Sequence, residues 1–168
     1  MLAFRGGLQC GALNMRNGGS TPFRIEIILA EDNPADISST VNTLKKANIC
    51  NRVHVVREGK QLLDFLFRTG GSVDFPPPGT ELLILLSLRL SDSHGLDLLR
   101  KIKGDERTKA LPIVILTSSQ EERGVMQSYK LGANAAIVKP LDLAKLVEAV
   151  SELRLGWLLL PGEEVMPK

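Results

Sequence analysis

From Phe23 onward, apolar and polar positions fall into two alternating patterns. "FRIEIILA" is apolar and β-branched and stops at the acidic pair Glu31-Asp32. It reads as a strand. In the stretch that follows, "NPADISSTVNTLKKANI", Ile37, Val41 and Leu44 recur at helical spacing, and Pro34 suits a first helical turn. "RVHVV" is a second short strand. "EGKQLLDFLFRTGG" is a second helix, with Leu62, Leu63, Phe65 and Leu66 expected inward and Gly70-Gly71 expected to end it. "FPPPGT" is a stiff loop. "ELLILLSL" is apolar without alternation, as a central parallel strand covered on both faces should be.

The pattern then repeats. "SHGLDLLRKIKGD" reads as a helix, "LPIVILT" as a strand, and "SSQEERGVMQSYKLGAN" as a helix. Ser119 and Glu122 have capping-box spacing in that helix, and Gly132 suits its stop. "AAIV" is the last strand. "LDLAKLVEAVSELRLGW" is the last helix, with Leu143, Leu146, Val147, Val150 and Leu153 expected on one face. Strands alternating with helices argue for an α/β fold, a parallel sheet wrapped on both faces by right-handed crossovers. Ligand sites in such folds lie just past the C-terminal ends of the strands.

Composition adds little beyond a class. The 168 residues suit one domain. Charges nearly balance at +2, which gives no bulk argument for nucleic acid. Cys10 and Cys50 make neither a disulfide framework nor a metal-ligand spacing, so a cytoplasmic protein is expected. No apolar run approaches a membrane span. Residues 1–20 read as a flexible N-terminal arm, 21–156 as the domain, and 157–168 as a C-terminal apolar arm.

Polar residues collect at the predicted strand ends: Glu31 and Asp32 after the first, Ser87 at the third, Thr117 at the fourth and Lys139 after the fifth. A carboxylate pair can hold Mg²⁺ through oxygen. A lysine and a hydroxyl can contact phosphoryl oxygens. With "IILAEDNPAD", "LLILLSLRLSDSHGLDLLRKIK", "LPIVILTSSQ" and "LGANAAIVKP", the chain resembles the receiver domain of two-component response regulators from Phe23 to about Arg154. The resemblance implies a flavodoxin-like (CheY-like) sheet of five parallel strands, order 2-1-3-4-5, with five helices. It implies a signalling module rather than an enzyme. It makes Glu31 and Asp32 the metal pair, Thr117 the hydroxyl that senses a phosphoryl group, Lys139 the phosphate-contacting lysine, and Lys139-Pro140 a cis bond. The tail, "LVEAVSELRLGWLLLP", is similar to that of single-domain receivers that partner bacterial phytochrome histidine kinases. That implies a kinase partner and a homodimer involving Trp157, Leu158, Leu159 and Leu160, with no nucleic-acid or membrane partner.

The chain departs from the family in three places. The phosphoacceptor Asp is replaced by Ser87, a proline by Ser91, and the aromatic switch residue by Ala136. A serine needs a general base to attack phosphorus, and it contributes no anionic ligand, so Mg²⁺ is expected to bind weakly. Lys139, short of one carboxylate, is expected to turn toward Asp32. A degenerate receiver that acts by binding is therefore the expectation. The alternatives are Ser87 or Asp92 as a working acceptor, or Ser87 as an engineered change, against which Ser91 and Ala136 argue. Asp92 itself is expected to cap the helix beginning near His94, and the histidines His54 and His94 to be packing or surface residues.

Overall fold

The computed structural model describes residues 2–3, 25–46, 49, 51–69, 81–118 and 122–152. Strands β1 (Leu2–Ala3), β2 (Ile25–Ala30), β3 (Val53–Val56), β4 (Glu81–Ser87), β5 (Ile113–Thr117) and β6 (Ala135–Val138) form one sheet, ordered β1-β3-β2-β4-β5-β6. Helices α1 (Pro34–Lys46), α2 (Gly59–Phe67), α3 (Gly95–Lys103), α4 (Glu122–Lys130) and α5 (Leu143–Glu152) follow the five parallel strands in turn. Those five parallel strands have the order 2-1-3-4-5 of the CheY-like flavodoxin fold.

Why the strands lack alternation is visible in the core. Strand side chains point to opposite faces in turn. On β2, Ile25, Ile27 and Leu29 face the layer holding Ile37, Val41 and Leu44 of α1 and Leu146 of α5. Ile28 and Ala30 face the layer holding Leu62 and Phe65 of α2 and Leu98, Leu99 and Ile102 of α3. Both faces are buried, so both parities are mostly apolar, with Glu26 of β2 the buried exception paired to His54 of β3.

Several details differ from the sequence expectation. Leu2–Ala3, placed in an arm, pairs antiparallel with β3, with Leu2 opposite Val55 and Ala3 opposite His54. Without it, β3 would leave its outer N–H and C=O groups unpaired at the sheet edge. α2 stops at Phe67 rather than at Gly70-Gly71: Arg68 takes the left-handed conformation (φ 56°) and donates its N–H to the Asp64 carbonyl. Val147 turns out of the core, 44% exposed, and Ala149 of the same helix is buried instead. Gly132 has φ 103°, the left-handed stop expected after α4. The Ser119 cap and Trp157–Leu160 lie outside the described residues.

Candidate functional site

The parallel topology brings the C-terminal ends of β2, β4, β5 and β6 to one edge. Glu31 follows β2 and is buried; Ser87 ends β4 and Thr117 ends β5, each 2% exposed. Lys139 follows β6, and its N–H donates to the Thr117 carbonyl at 2.8 Å, which fixes its place beside β5. The Lys139–Pro140 bond is cis.

Glu31 is held from both sides. Its Oε1 accepts the backbone N–H groups of Asp32 and Asn33, each at 3.2 Å. Its Oε2 lies 2.6 Å from the Lys139 Nζ. That approach is an ion pair rather than an aligned hydrogen bond, since Oε2 has no hydrogen-bond partner among the described residues. Asn33 opens α1: its side-chain oxygen accepts from Ala35 N at 2.9 Å. This cap sets Asp36, in the first turn, over the pocket.

Lys139 therefore meets three groups. Beyond Glu31, its Nζ donates to Asp36 Oδ2 at 3.1 Å and to the Ser87 hydroxyl at 3.2 Å. The expected turn toward Asp32 is not what occurs: the partners are Glu31 and Asp36. Buried Glu31 lacks water to solvate it, so it draws the nearest cation. Asp36 was missed in the sequence because it looked like an ordinary first-turn acid; its contact spans 103 positions. Burial alone would lower the Lys139 pKa, but Glu31 and then Asp36 more than reverse this and hold it above the ordinary lysine value.

The Ser87 hydroxyl donates to the Arg89 carbonyl at 3.3 Å. Gly95, opening α3, packs on the same turn. A Cβ there would meet the Ser87 carbonyl oxygen at 2.5 Å and the Leu88 Cα at 2.7 Å, so only glycine fits. The Thr117 hydroxyl donates to the Ser118 carbonyl at 3.1 Å. Ala136 is half-buried against the α2–α3 layer, and its N–H donates to the Tyr129 hydroxyl of α4 at 3.0 Å.

Asp92 caps a different helix from the one expected. Its Oδ1 accepts Gly59 N at 2.7 Å and its Oδ2 accepts Lys60 N at 3.2 Å, so it closes α2. α3 is capped by His94, whose Nδ1 accepts Leu96 N at 3.3 Å. α2 has no side-chain cap from its own preceding residue, Glu58, and its open N–H groups take the carboxylate across the loop. The other histidine, His54, is fully buried. Its Nε2 lies 2.5 Å from Glu26 Oε2, and its ring leans on Phe65 at 4.9 Å.

Mg²⁺ takes six oxygen ligands, several of them water, and needs one or two carboxylates free to face it. Both Glu31 oxygens are already engaged, the Ser87 oxygen is neutral, and the Lys139 ammonium stands among them. No group of three or more His, Cys, Asp or Glu is gathered for a metal among the described residues. As arranged here, the donor set does not fit a resident Mg²⁺. No described helix is long and apolar enough to cross a membrane.

The family model "Response regulator receiver domain" matches residues 27–151. The chain belongs to the response regulator receiver family. It is a two-component signalling module with the CheY-like fold. Among similar proteins, the bacteriophytochrome response regulator AtBRR is 38% identical with a TM-score of 0.73, covering 83% of this chain and 99% of that one. The probable methanogenesis regulatory protein FilR2 of Methanothrix harundinacea is 34% identical, over 81% of this chain and 87% of that protein. The response regulator Rcp1 of Synechocystis has a structure in a Mn²⁺-bound form. That structure is 32% identical with a TM-score of 0.62, over 80% of this chain and 94% of that one.

Proposed function

We propose that this receiver acts in a two-component pathway as a binding module, without taking a phosphoryl group itself. The observation that carries the reading is the hydrogen bonding of Ser87, which by resemblance occupies the place of the acceptor aspartate. An aspartate attacks phosphorus as an anion, whereas a serine must first lose a proton to a base. The Ser87 proton points at a peptide carbonyl, and the other contact is an ammonium that has no lone pair to offer. Neither neighbour is a base. Ala136 carries no aromatic ring to swing inward, so the readout is weakened along with the acceptor. Mg²⁺ binds weakly at most.

Asp92 does not take over as acceptor in this reading, because both of its oxygens hold the start of α2. Removing it for chemistry would uncap that helix.

The partner is a sensor histidine kinase, of the bacteriophytochrome type by likeness to AtBRR and to the tail pattern. The protein works in the cytoplasm. It forms a homodimer through α5 and the apolar segment Trp157–Leu160. Met126 of α4, Val138 of β6 and Val147 of α5 are exposed apolar side chains that support a partner surface on this side of the fold. Light scattering on a chain ended before Trp157 tests the dimer: a monomer mass is expected, and an unchanged dimer mass removes the tail from the reading.

The functional test is phosphotransfer. A phosphorylated bacteriophytochrome-type kinase, mixed with the purified chain, should keep its phosphoryl group while the two co-elute. Loss of kinase label to this chain would contradict the proposal.

A further inference from the structure

We propose that the Lys139 ammonium, anchored by Asp36, is the resident cation of the acidic pocket, closing it to divalent metal and fastening α1 to the β6–α5 loop without one. This stands apart from whether Ser87 can be phosphorylated.

Four observations carry it. The Lys139 Nζ is 2.6 Å from the buried Glu31 carboxylate, so the most deeply buried charge of the pocket is already neutralised. Asp36 holds the same ammonium from α1 at 3.1 Å. The Ser87 hydroxyl supplies a third contact at 3.2 Å, so the ammonium has two hydrogen-bond acceptors, Asp36 and Ser87, beside its ion pair with Glu31. The second Glu31 oxygen is taken by two backbone N–H groups, leaving it no free direction toward a metal. A divalent cation entering here would have to displace a charge-paired lysine and would meet its repulsion.

The consequence is mechanical as well as electrostatic. Lys139 sits between Val138 and the cis Pro140, and its own N–H is tied to β5. Asp36 lies in the first turn of α1. Their contact joins the first helix to the loop before the last one. In this chain that joint is made by protein alone.

The test uses the full chain. Mn²⁺ binding is measured by paramagnetic resonance, with Mg²⁺ as competitor, on wild type and on Lys139→Met and Lys139→Gln. Removing the ammonium should tighten Mn²⁺ binding at least tenfold, on the order expected for deleting one positive charge a few Å away. Equal affinity in wild type and the variants would overturn the proposal. Should both variants fail to fold, Asp36→Asn decides it. The ¹⁵N signal of the Lys139 ammonium should be slow to exchange in wild type, unmoved by millimolar Mg²⁺, and faster to exchange in Asp36→Asn. A wild-type signal that Mg²⁺ shifts, or one that Asp36→Asn leaves unchanged, would also overturn it.

Discussion

The Lys139 ammonium donates to the Ser87 hydroxyl at 3.2 Å, and that hydroxyl hands its own proton to the Arg89 carbonyl at 3.3 Å. Both bonds are long, and Lys139 keeps two carboxylates without them. Ser87→Ala should therefore cost no more than about 1 kcal/mol, the net worth of an ordinary hydrogen bond. Urea unfolding measures it. A loss well above that would mean the hydroxyl organises the pocket rather than merely occupying it.

The bond between Asp92 and the start of α2 predicts a comparable effect from a residue that serves a helix rather than the pocket. Asp92→Ala leaves Gly59 N and Lys60 N without their cap and should destabilise by about 1 kcal/mol. Burial would raise the Asp92 pKa, but the N–H donors of Gly59 and Lys60 and the Ser93 hydroxyl outweigh it, and the net shift is downward from 3.8. A carboxyl with a lowered folded pKa contributes stability above its unfolded value and loses it as pH falls through the folded one. The gap between wild type and Asp92→Ala should thus be full at neutral pH and shrink below about pH 3.8. Parallel melting curves from neutral pH into acid check the trend.

Lys139 predicts the opposite limb. Its folded pKa is raised, so its contribution is complete below 10.5 and fades as pH rises through the folded value. Lys103 works against this signal. Burial lowers its pKa, and among the described residues its ammonium has the Lys109 and Leu111 carbonyls as acceptors and no carboxylate, so its burial penalty eases as pH rises. The clean comparison is wild type against Lys139→Gln, in which Lys103 is common to both. The stability gap should narrow in the alkaline range above pH 10.5 and stay flat between pH 6 and 9.

How much of this was legible in the sequence depends on whether a feature is local. The five parallel strands came from apolar runs and periodicity, because burial on both faces leaves little polar alternation, whereas their order came from the resemblance to receiver domains. Glu31, Ser87, Thr117 and Lys139 were legible as strand-end residues, and they do meet at one edge. Long-range partner choice was not legible. Nothing near Asp36 in sequence shows that it reaches Lys139, nor near Asp92 that it serves α2 rather than α3. Val147 fits an apolar stripe by spacing, yet faces outward, since the last helix buries only part of that stripe under the sheet. The N-terminal strand was missed because two residues carry no periodicity at all.

The buried pair of Glu26 and His54 is a second long-range contact that sequence spacing hides. His54 is fully buried with its Nδ1 lacking a partner among the described residues, so the pair is held by one contact and by Phe65. Glu26→Leu alone leaves the buried His54 Nε2 without its partner and should cost about 1–3 kcal/mol, the penalty of an unsatisfied buried polar group. The double change Glu26→Leu with His54→Phe should recover part of that loss. A double-mutant cycle by chemical denaturation gives the coupling, and strictly additive losses would show that the two residues do not act as a pair.

The most direct measurement of the central claim is intact mass after incubation with acetyl phosphate and Mg²⁺. It is run on the wild-type chain and on Ser87→Asp together. The expected result is an unchanged mass for wild type and the gain of one phosphoryl group for Ser87→Asp, whose carboxylate needs no base and adds the anionic ligand that lets Mg²⁺ compete with the Lys139 ammonium. A phosphoryl group on the wild-type chain would contradict it.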